Sequence, residues 1–384
     1  MKVALIGFGT VNRGVWEILQ DRKDAIRAAL GQDIEVSHIV LRPESVKRGK
    51  EGIDPSLLRS DYEAVLKSGV DVVVEATGAL EEGFSYMKKA LEAGIGVVTA
   101  NKAVVSAHFE DLHDLARDRQ VPLMYEAAVG GGIPALTPIR GIQVTNQVSS
   151  IRGILNGTCN YLLNKMFAEG ADYGATLKVC QDLGYAEQDP TDDVEGFDTL
   201  RKLRILTSMA MAPLKEEDIL LRGISAISKE DVAWAKEAGL KIKLVAQSSL
   251  KEGRLSALVE PVLLDEHDSL AALPEAINAI ELEGHALGQV SFTGPGAGKL
   301  PTGHAIVQDL MDIAHHGGSY PILKKEAALL DQEDFRGRYY VRGADLPLDM
   351  VEEKGQGWLV TKEILRRDLL EKVSKETFFA RLEK

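Results

Sequence analysis

The chain has 384 residues, enough for two or three domains, and its 45% hydrophobic and 27% charged residues are an ordinary globular balance that excludes a disordered or fibrous chain. A formal net charge of −13 argues against nucleic acid and anionic membranes as partners, the densest cationic stretch being the short Arg42–Lys50 segment. Cys159 and Cys180 are too few for a disulfide framework and neither belongs to a CxxC pair.

The chain opens on an apolar run, Val3–Gly7, that reads as a buried strand; it breaks at glycines with no small-residue cleavage site after it, so a strand is expected here and not a signal peptide. No apolar run nears the roughly 20 residues that span a bilayer, and a soluble cytoplasmic protein is expected. Val11–Leu30 has helical spacing, with Val11, Val15, Ile18 and Leu19 on one face. Strands follow at Ile34–Leu41, Asp71–Ala76, Gly96–Ala100 and Pro122–Glu126, separated by helices near Gly83–Ala93 and Phe109–Arg119. This alternation predicts an α/β domain with a Rossmann-type, doubly wound parallel sheet over residues 1–143. Beyond it, strands at Gln147–Leu155, Leu240–Ser248, Leu255–Leu264, Ala276–Glu283 and Gly288–Thr293 surround helices at Cys159–Ala168, Tyr173–Leu183 and Phe197–Met211. Residues 144–294 therefore read as a second, α+β domain with a mostly antiparallel or mixed sheet, the place where catalytic residues and a dimer contact are looked for. A Gly-rich turn and a helix at Leu300–His315 return the chain to the first domain over 295–318. A more charged extension, 319–384, carries a strand at Arg338–Arg342 and a helix expected over Leu359–Val373.

Gly7-Phe8-Gly9-Thr10-Val11-Asn12 follows a strand and opens a helix, the context that a dinucleotide fingerprint requires. Gly7 permits the tight turn, Gly9 lets the backbone approach a pyrophosphate, and the helix N-terminus offers free N–H groups to the anion. Asn12 stands where the third glycine belongs, and Gly14 is out of register, which predicts a slightly wider helix–strand approach. A structural turn with no ligand is the competing reading of a lone GxG. The second strand ends in Leu41-Arg42-Pro43, with Lys47, Arg48 and Lys50 after it, and lacks the acidic residue that would take a ribose 2′-hydroxyl. Arg42 can hold a 2′-phosphate with its planar fork, so NADP is favoured and NAD stays open.

Five segments together resemble the homoserine dehydrogenase family over roughly residues 1–315. They are Thr99-Ala100-Asn101-Lys102; Glu126-Ala127-Ala128-Val129-Gly130-Gly131-Gly132-Ile133-Pro134; Gly153-Ile154-Leu155-Asn156-Gly157-Thr158-Cys159-Asn160-Tyr161; the run from Gly184-Tyr185-Ala186-Glu187 through Asp198 to Lys202; and Gly294-Pro295-Gly296-Ala297-Gly298 with Pro301-Thr302. The resemblance implies NAD(P)-dependent interconversion of L-aspartate 4-semialdehyde and L-homoserine, within threonine, methionine and isoleucine biosynthesis. It implies that Lys202 is the acid/base, that Asp198 binds and orients the reacting hydroxyl, and that Lys102 lies between cofactor and substrate. Glu187 would meet the substrate ammonium, with Gly157, Thr158 and Tyr185 beside it. The cofactor would touch Gly7, Phe8, Gly9, Thr10, Val11, Arg42, Ala76, Thr77, Lys102, Gly157 and Gly296. A monovalent cation, sodium or potassium, would take the Glu126 side chain and the carbonyls of Val129, Gly131 and Ile133, an all-oxygen set suited to a hard ion.

The residues themselves allow this chemistry. Reducing an aldehyde needs hydride on carbon and a proton on the developing alkoxide, and a positioned ammonium supplies the second. Asp198 and Lys202 are four apart and share one helix face; outside this motif such a pair is usually a solvated surface contact. Which lysine moves the proton stays open, and a lysine serving as base needs its pKa lowered, which burial and a second cation both favour. The two amines and the carboxylates of Glu187 and Asp198 are expected to converge on a cleft beside the nicotinamide. Departures from the family pattern are Asn12, the looser Thr77-Gly78-Ala79-Leu80-Glu81-Glu82 and Gly303-His304, all on the cofactor side. Many members carry a C-terminal amino-acid-binding module of the ACT kind, whose start Tyr339-Tyr340-Val341 resembles; 319–384 is short for a full one, and support of oligomerisation is the alternative. The strands of the second domain suit a sheet continued across a two-fold axis, so a homodimer is expected. Two other readings compete: a dehydrogenase of this architecture with another small hydroxy- or amino-acid substrate, and a silent nucleotide-binding regulator. Glu187, Asp198 and both lysines speak against them.

Overall fold

The computed structural model describes residues 1–317, 327–331 and 335–383. It divides into two compact units, one holding Met1–Gly141 with the 295–317 return, the other holding Ile142–Gly294 with the described C-terminal residues. The first contains a six-stranded sheet of β1 (Lys2–Ile6), β2 (Glu35–Val40), β3 (Leu58–Arg59), β4 (Val72–Glu75), β5 (Gly96–Thr99) and β6 (Leu123–Met124). All its pairings are parallel and the order is β3-β2-β1-β4-β5-β6. Val3–Ile6, Val72–Val74, Val97 and Val98 are buried, as they must be in a sheet covered by helices on both faces. The order reverses between β1 and β4, so a ligand crevice lies outside the carboxyl ends of those two strands.

The helix expected over Val11–Leu30 is two helices, Thr10–Asp21 and Lys23–Leu30. Residues 20–25 are all exposed, so no apolar anchor carries one helix across that corner. The returning helix Lys299–His316 crosses Thr10–Asp21 at two glycines. A Cβ on Gly14 would lie 2.2 Å from the Lys299 carbonyl oxygen, and one on Gly303 would lie 2.7 Å from the Gly14 carbonyl carbon. Gly14 thus serves this crossing, while Asn12, fully buried, ties the helix to β1 by donating to the carbonyls of Ile6 (2.9 Å) and Gly7 (3.0 Å).

The second unit is built on a mixed sheet of β7 (Val148–Ile154), β8 (Leu220–Leu221), β9 (Leu240–Lys251), β10 (Arg254–Asp265), β11 (Ile277–Gly284), β12 (Gly288–Pro295), β13 (Leu329–Leu330), β14 (Arg336–Arg342), β15 (Val351–Lys354), β16 (Trp358–Thr361), β17 (Ile364–Leu365) and β18 (Phe378–Glu383). Its main path runs β12-β11-β7-β9-β10-β18-β14-β16-β15. β9 and β10 form a long hairpin closed by Glu252 and Gly253, both at positive φ, the backbone of a type I′ turn. Helices Gly157–Glu169, Phe197–Ala210 and Lys229–Glu237 pack against β9. A core of Ile154, Val245, Val262, Leu264, Leu270, Leu273 and Ala279 joins β7, β9, β10 and β11 to the loop after β10.

The C-terminal residues extend this sheet: β18 pairs with β10, and β14 with β18 and β16. Tyr339, Val341, Leu346, Leu359, Leu369 and Phe379 form a second core there. Glu260 on β10, fully buried, accepts from Arg366 Nε (2.7 Å) and Arg381 Nε (2.8 Å). The helix expected over Leu359–Val373 is absent; that stretch is β16, β17 and a short helix, Arg366–Leu370. Leu359, Val360 and Thr361 are buried in succession, which suits a strand covered on both faces, and Thr361 Oγ1 accepts from the Tyr339 amide at 2.9 Å. Among the described residues no helix is long and apolar enough to cross a membrane.

Candidate active site

At the crevice of the first unit, Gly7 takes φ +77°, and a Cβ there would touch Thr77 Cγ2 at 3.6 Å and the Ala76 carbonyl at 4.0 Å. The loops after β1 and β4, with Gly7, Ala76 and Thr77, are therefore neighbours. Gly9 caps the Thr10–Asp21 helix without a side-chain hydrogen bond, and the space above its Cα is open. Uncapped N–H groups at the start of a twelve-residue helix, with room above them, fit a dinucleotide pyrophosphate. Phe8 is buried edge-on to Trp16, and Thr10 and Val11 open the helix. Arg42, just after β2, is exposed and meets Glu82 only loosely at 3.7 Å, an ion pair too weak to tie up the guanidinium.

Two residues beneath these loops carried no role in the sequence. Glu75, at the end of β4 and fully buried, accepts from the Thr77 amide (2.7 Å), Thr77 Oγ1 (2.5 Å) and Thr99 Oγ1 (2.9 Å). Asn101 caps the Lys102–Ala107 helix through the Val104 amide and donates Nδ2 to the Ala79 carbonyl at 2.9 Å. Together they fix the Ala76–Ala79 loop and place Lys102, half-buried, in the first turn of its helix. The signal was a charged residue ending an apolar strand and an Asn in a helix N-cap position.

In the second unit the Phe197–Ala210 helix is almost wholly buried, which takes the Asp198–Lys202 pair out of solvent. Lys202 Nζ donates to Asp198 Oδ2 at 2.8 Å and to the Leu155 carbonyl at 2.6 Å. Asn156 caps the Gly157–Glu169 helix with Oδ1 and donates Nδ2 to Asp193 (2.6 Å) and Asp198 (2.8 Å). Asn278 Nδ2 shares the Leu155 carbonyl at 2.9 Å. A cation, a carboxylate and the start of a helix thus meet around Leu155–Gly157, and Asn156, Asp193 and Asn278 join residues the sequence had singled out. Gly157 lies against the Ala276 carbonyl, which a Cβ would approach to 2.7 Å. Thr158 Oγ1 donates to the Tyr185 carbonyl at 2.7 Å, and Tyr185 stacks on Tyr161. Glu187 is exposed on the loop after Tyr185, its backbone carbonyl held by Gln181 Nε2. Burial and the carboxylates of Asp193 and Asp198 hold the Cys159 thiol far above its usual range, and burial pushes Cys180 up to about 11, so neither is a thiolate nucleophile.

Glu126 follows β6 and is buried. Its Oε1 accepts from the Ala135 (2.6 Å) and Leu136 (2.8 Å) amides, and Oε2 from the Thr137 amide (2.7 Å) and Thr137 Oγ1 (2.6 Å). Four donors fill the usual acceptor positions of a carboxylate, so this side chain caps the Leu136–Thr145 helix and does not fit the role of a cation ligand. Gly131 takes φ +60°, and a Cβ there would lie 2.3 Å from the Gly296 carbonyl oxygen, so this loop is packed tightly on the 295–298 turn. Among the described residues no group of three His, Cys, Asp or Glu side chains could hold a metal ion.

Two family models match the chain: "Homoserine dehydrogenase" over residues 134–311 and "Homoserine dehydrogenase, NAD binding domain" over residues 7–126. A homoserine dehydrogenase of Corynebacterium glutamicum is 40% identical over 329 residues, covering 83% of this chain and 74% of that protein. One of Bacillus subtilis is 35% identical, covering 82% of this chain and 72% of that protein. The solved structure of a homoserine dehydrogenase from Thiobacillus denitrificans superposes with a TM-score of 0.90 at 29% identity, covering 100% of this chain and 98% of that one.

Proposed function

The chain belongs to the homoserine dehydrogenase family, and from that premise we propose that it interconverts L-homoserine and L-aspartate 4-semialdehyde with a nicotinamide cofactor, NADP preferred over NAD. The observation that carries this reading is the buried Asp198–Lys202 pair at the start of the Gly157–Glu169 helix, an ammonium held by a carboxylate and a backbone carbonyl. The nicotinamide, when bound, supplies or accepts the hydride. In reduction, Lys202 gives a proton from Nζ to the alkoxide left when hydride reaches the aldehyde carbon; in oxidation it takes the hydroxyl proton. Asp198 orients Lys202 and the reacting hydroxyl, and Lys102 adds positive potential where oxyanion charge develops. Glu187 takes the substrate ammonium, while Gly157, Thr158 and Tyr185 hold its polar oxygens. Gly7, Phe8, Gly9, Thr10 and Val11 form the pyrophosphate turn, Ala76, Thr77, Gly157 and Gly296 line the rest of the cofactor path, and Arg42 takes the 2′-phosphate. The carbonyls of Val129, Gly131 and Ile133 are the oxygens on which a monovalent cation would depend, and no chemical step is assigned to it. We expect the protein to act as a homodimer.

The test mixes the purified protein with L-homoserine and NADP+ or NAD+ at alkaline pH. The near-ultraviolet absorbance of reduced nicotinamide should grow, faster with NADP+. No growth with either cofactor would remove the reading.

A further inference from the structure

Lys243 is a lysine that the proposed reaction does not use. It lies on β9 and is 1% exposed. Its Nζ donates to Asn160 Oδ1 (2.7 Å), Asn164 Oδ1 (2.7 Å) and the Leu273 carbonyl (3.1 Å). Three neutral oxygens match the three N–H donors of an ammonium, and none of them is a counter-ion. An apolar side chain would fill the same volume without burying a polar head group, so this nitrogen needs another reason.

Its partners supply one. Asn160 and Asn164 both lie on the Gly157–Glu169 helix, and their amide groups are pinned from the other side. Asn160 Nδ2 donates to the Ile277 carbonyl at 3.0 Å, and Asn164 Nδ2 to the carbonyls of Leu273 (3.0 Å) and Glu275 (3.2 Å). One side-chain nitrogen thus orients two amides and clamps the helix to the 273–278 segment. The first turn of that helix bears Gly157, pressed on the Ala276 carbonyl. The same segment ends at Asn278, which holds the Leu155 carbonyl, and Leu155 accepts from Lys202.

We infer that Lys243 is a positioning residue for the reaction, setting the Asn156–Thr158 turn and the Leu155 carbonyl on which the Lys202 ammonium rests. The inference rests on the assignment of Lys202 as acid/base, and a double-mutant cycle separates the two. Lys243→Met should lower kcat by about tenfold and raise KM for L-homoserine, with a smaller rise in the dissociation constant of NADP+, which meets this turn only at Gly157. Lys243→Arg should recover part of the loss. In a Lys202→Met background, where Lys202 is no longer there to be positioned, Lys243→Met should cost little further turnover. Wild-type kcat in Lys243→Met, or the same proportional loss in both backgrounds, would overturn the inference. A fully active Lys202→Met would instead overturn the acid/base assignment. Should Lys243→Met not fold, Asn164→Ala, which removes one of the three acceptors near the helix surface, is expected to show the same pattern in weaker form; unchanged kinetics there would equally refute it.

Discussion

Lys202→Met keeps the length of the side chain and removes its proton and charge. The pair it breaks is buried, with side chains 9% and 6% exposed, so Asp198 loses its ammonium in a place largely shielded from water. Breaking a buried pair in this way costs about 3–5 kcal/mol of stability, against about 1 kcal/mol or less for a surface pair. The catalytic loss is separate. A positioned acid/base contributes about 10²–10⁴ in rate, which is about 3–5 kcal/mol of barrier at about 1.4 kcal/mol per decade. The glycine turn and Arg42 belong to the other compact unit, so NADP+ should bind the variant as it binds the wild type. The assay has three parts: steady-state kcat with L-homoserine, NADP+ affinity by protein fluorescence, and urea unfolding to confirm that the variant is folded under assay conditions. A folded variant that binds NADP+ and turns over within a few-fold of wild type would refute the reasoning.

Glu75→Gln replaces an acceptor-only carboxylate with an amide whose NH2 must face donors at Thr77 or Thr99. Charge-assisted hydrogen bonds are worth about 1.5–3 kcal/mol each, so NADP+ affinity should fall by at least tenfold, read by fluorescence titration, and unchanged affinity would remove Glu75 from the cofactor loop. Gly14→Ala places a methyl group 2.2 Å from the Lys299 carbonyl oxygen, an overpacking expected to cost about 1–3 kcal/mol in urea unfolding. Glu260→Ala strands Arg366 and Arg381 in the interior; a loss of about 3–5 kcal/mol and early proteolysis of the C-terminal strands are expected, and an unaltered digestion pattern would contradict the role given to this ion pair. Burial, helped by neighbouring Lys241, pushes Lys243 from 10.5 down to about 7. Between those values the unfolded chain binds the proton more tightly, so this group makes stability rise with pH from about 7 to about 10.5 and leaves it flat below; the slope, about 1.4 kcal/mol per pH unit, should be missing in Lys243→Met.

The first unit was legible in the sequence because parallel strands sealed on both faces are unbroken apolar runs, such as Val72-Val73-Val74, and because a glycine turn between strand and helix has one common use. Elements held by polar contacts were not legible. The helix Lys102–Ala107 and the cap at Glu126 depend on a bond that Asn101 accepts from Val104 and on bonds that Thr137 donates to Glu126, and no periodicity announces them. The helix expected over Leu359–Val373 failed because short buried strands and a helical stripe share the same spacing over so few residues. Within the candidate site, Asp198 and Lys202 were readable from their four-residue spacing only because they close the family-like run from Gly184 to Lys202, and the structure places them in direct contact. Asn156, Glu75 and Lys243 were not, since each gains its meaning from carbonyls and amides distant in sequence, which only the folded backbone brings near.

A crystal structure of the complex with NADP+ and L-homoserine tests the central claim most directly. Lys202 Nζ should lie within about 2.6–3.2 Å of the substrate hydroxyl, with Asp198 still on its other side. A hydroxyl bound out of reach of Lys202, with that ammonium engaged only by Leu155 and Asp198, would contradict the account.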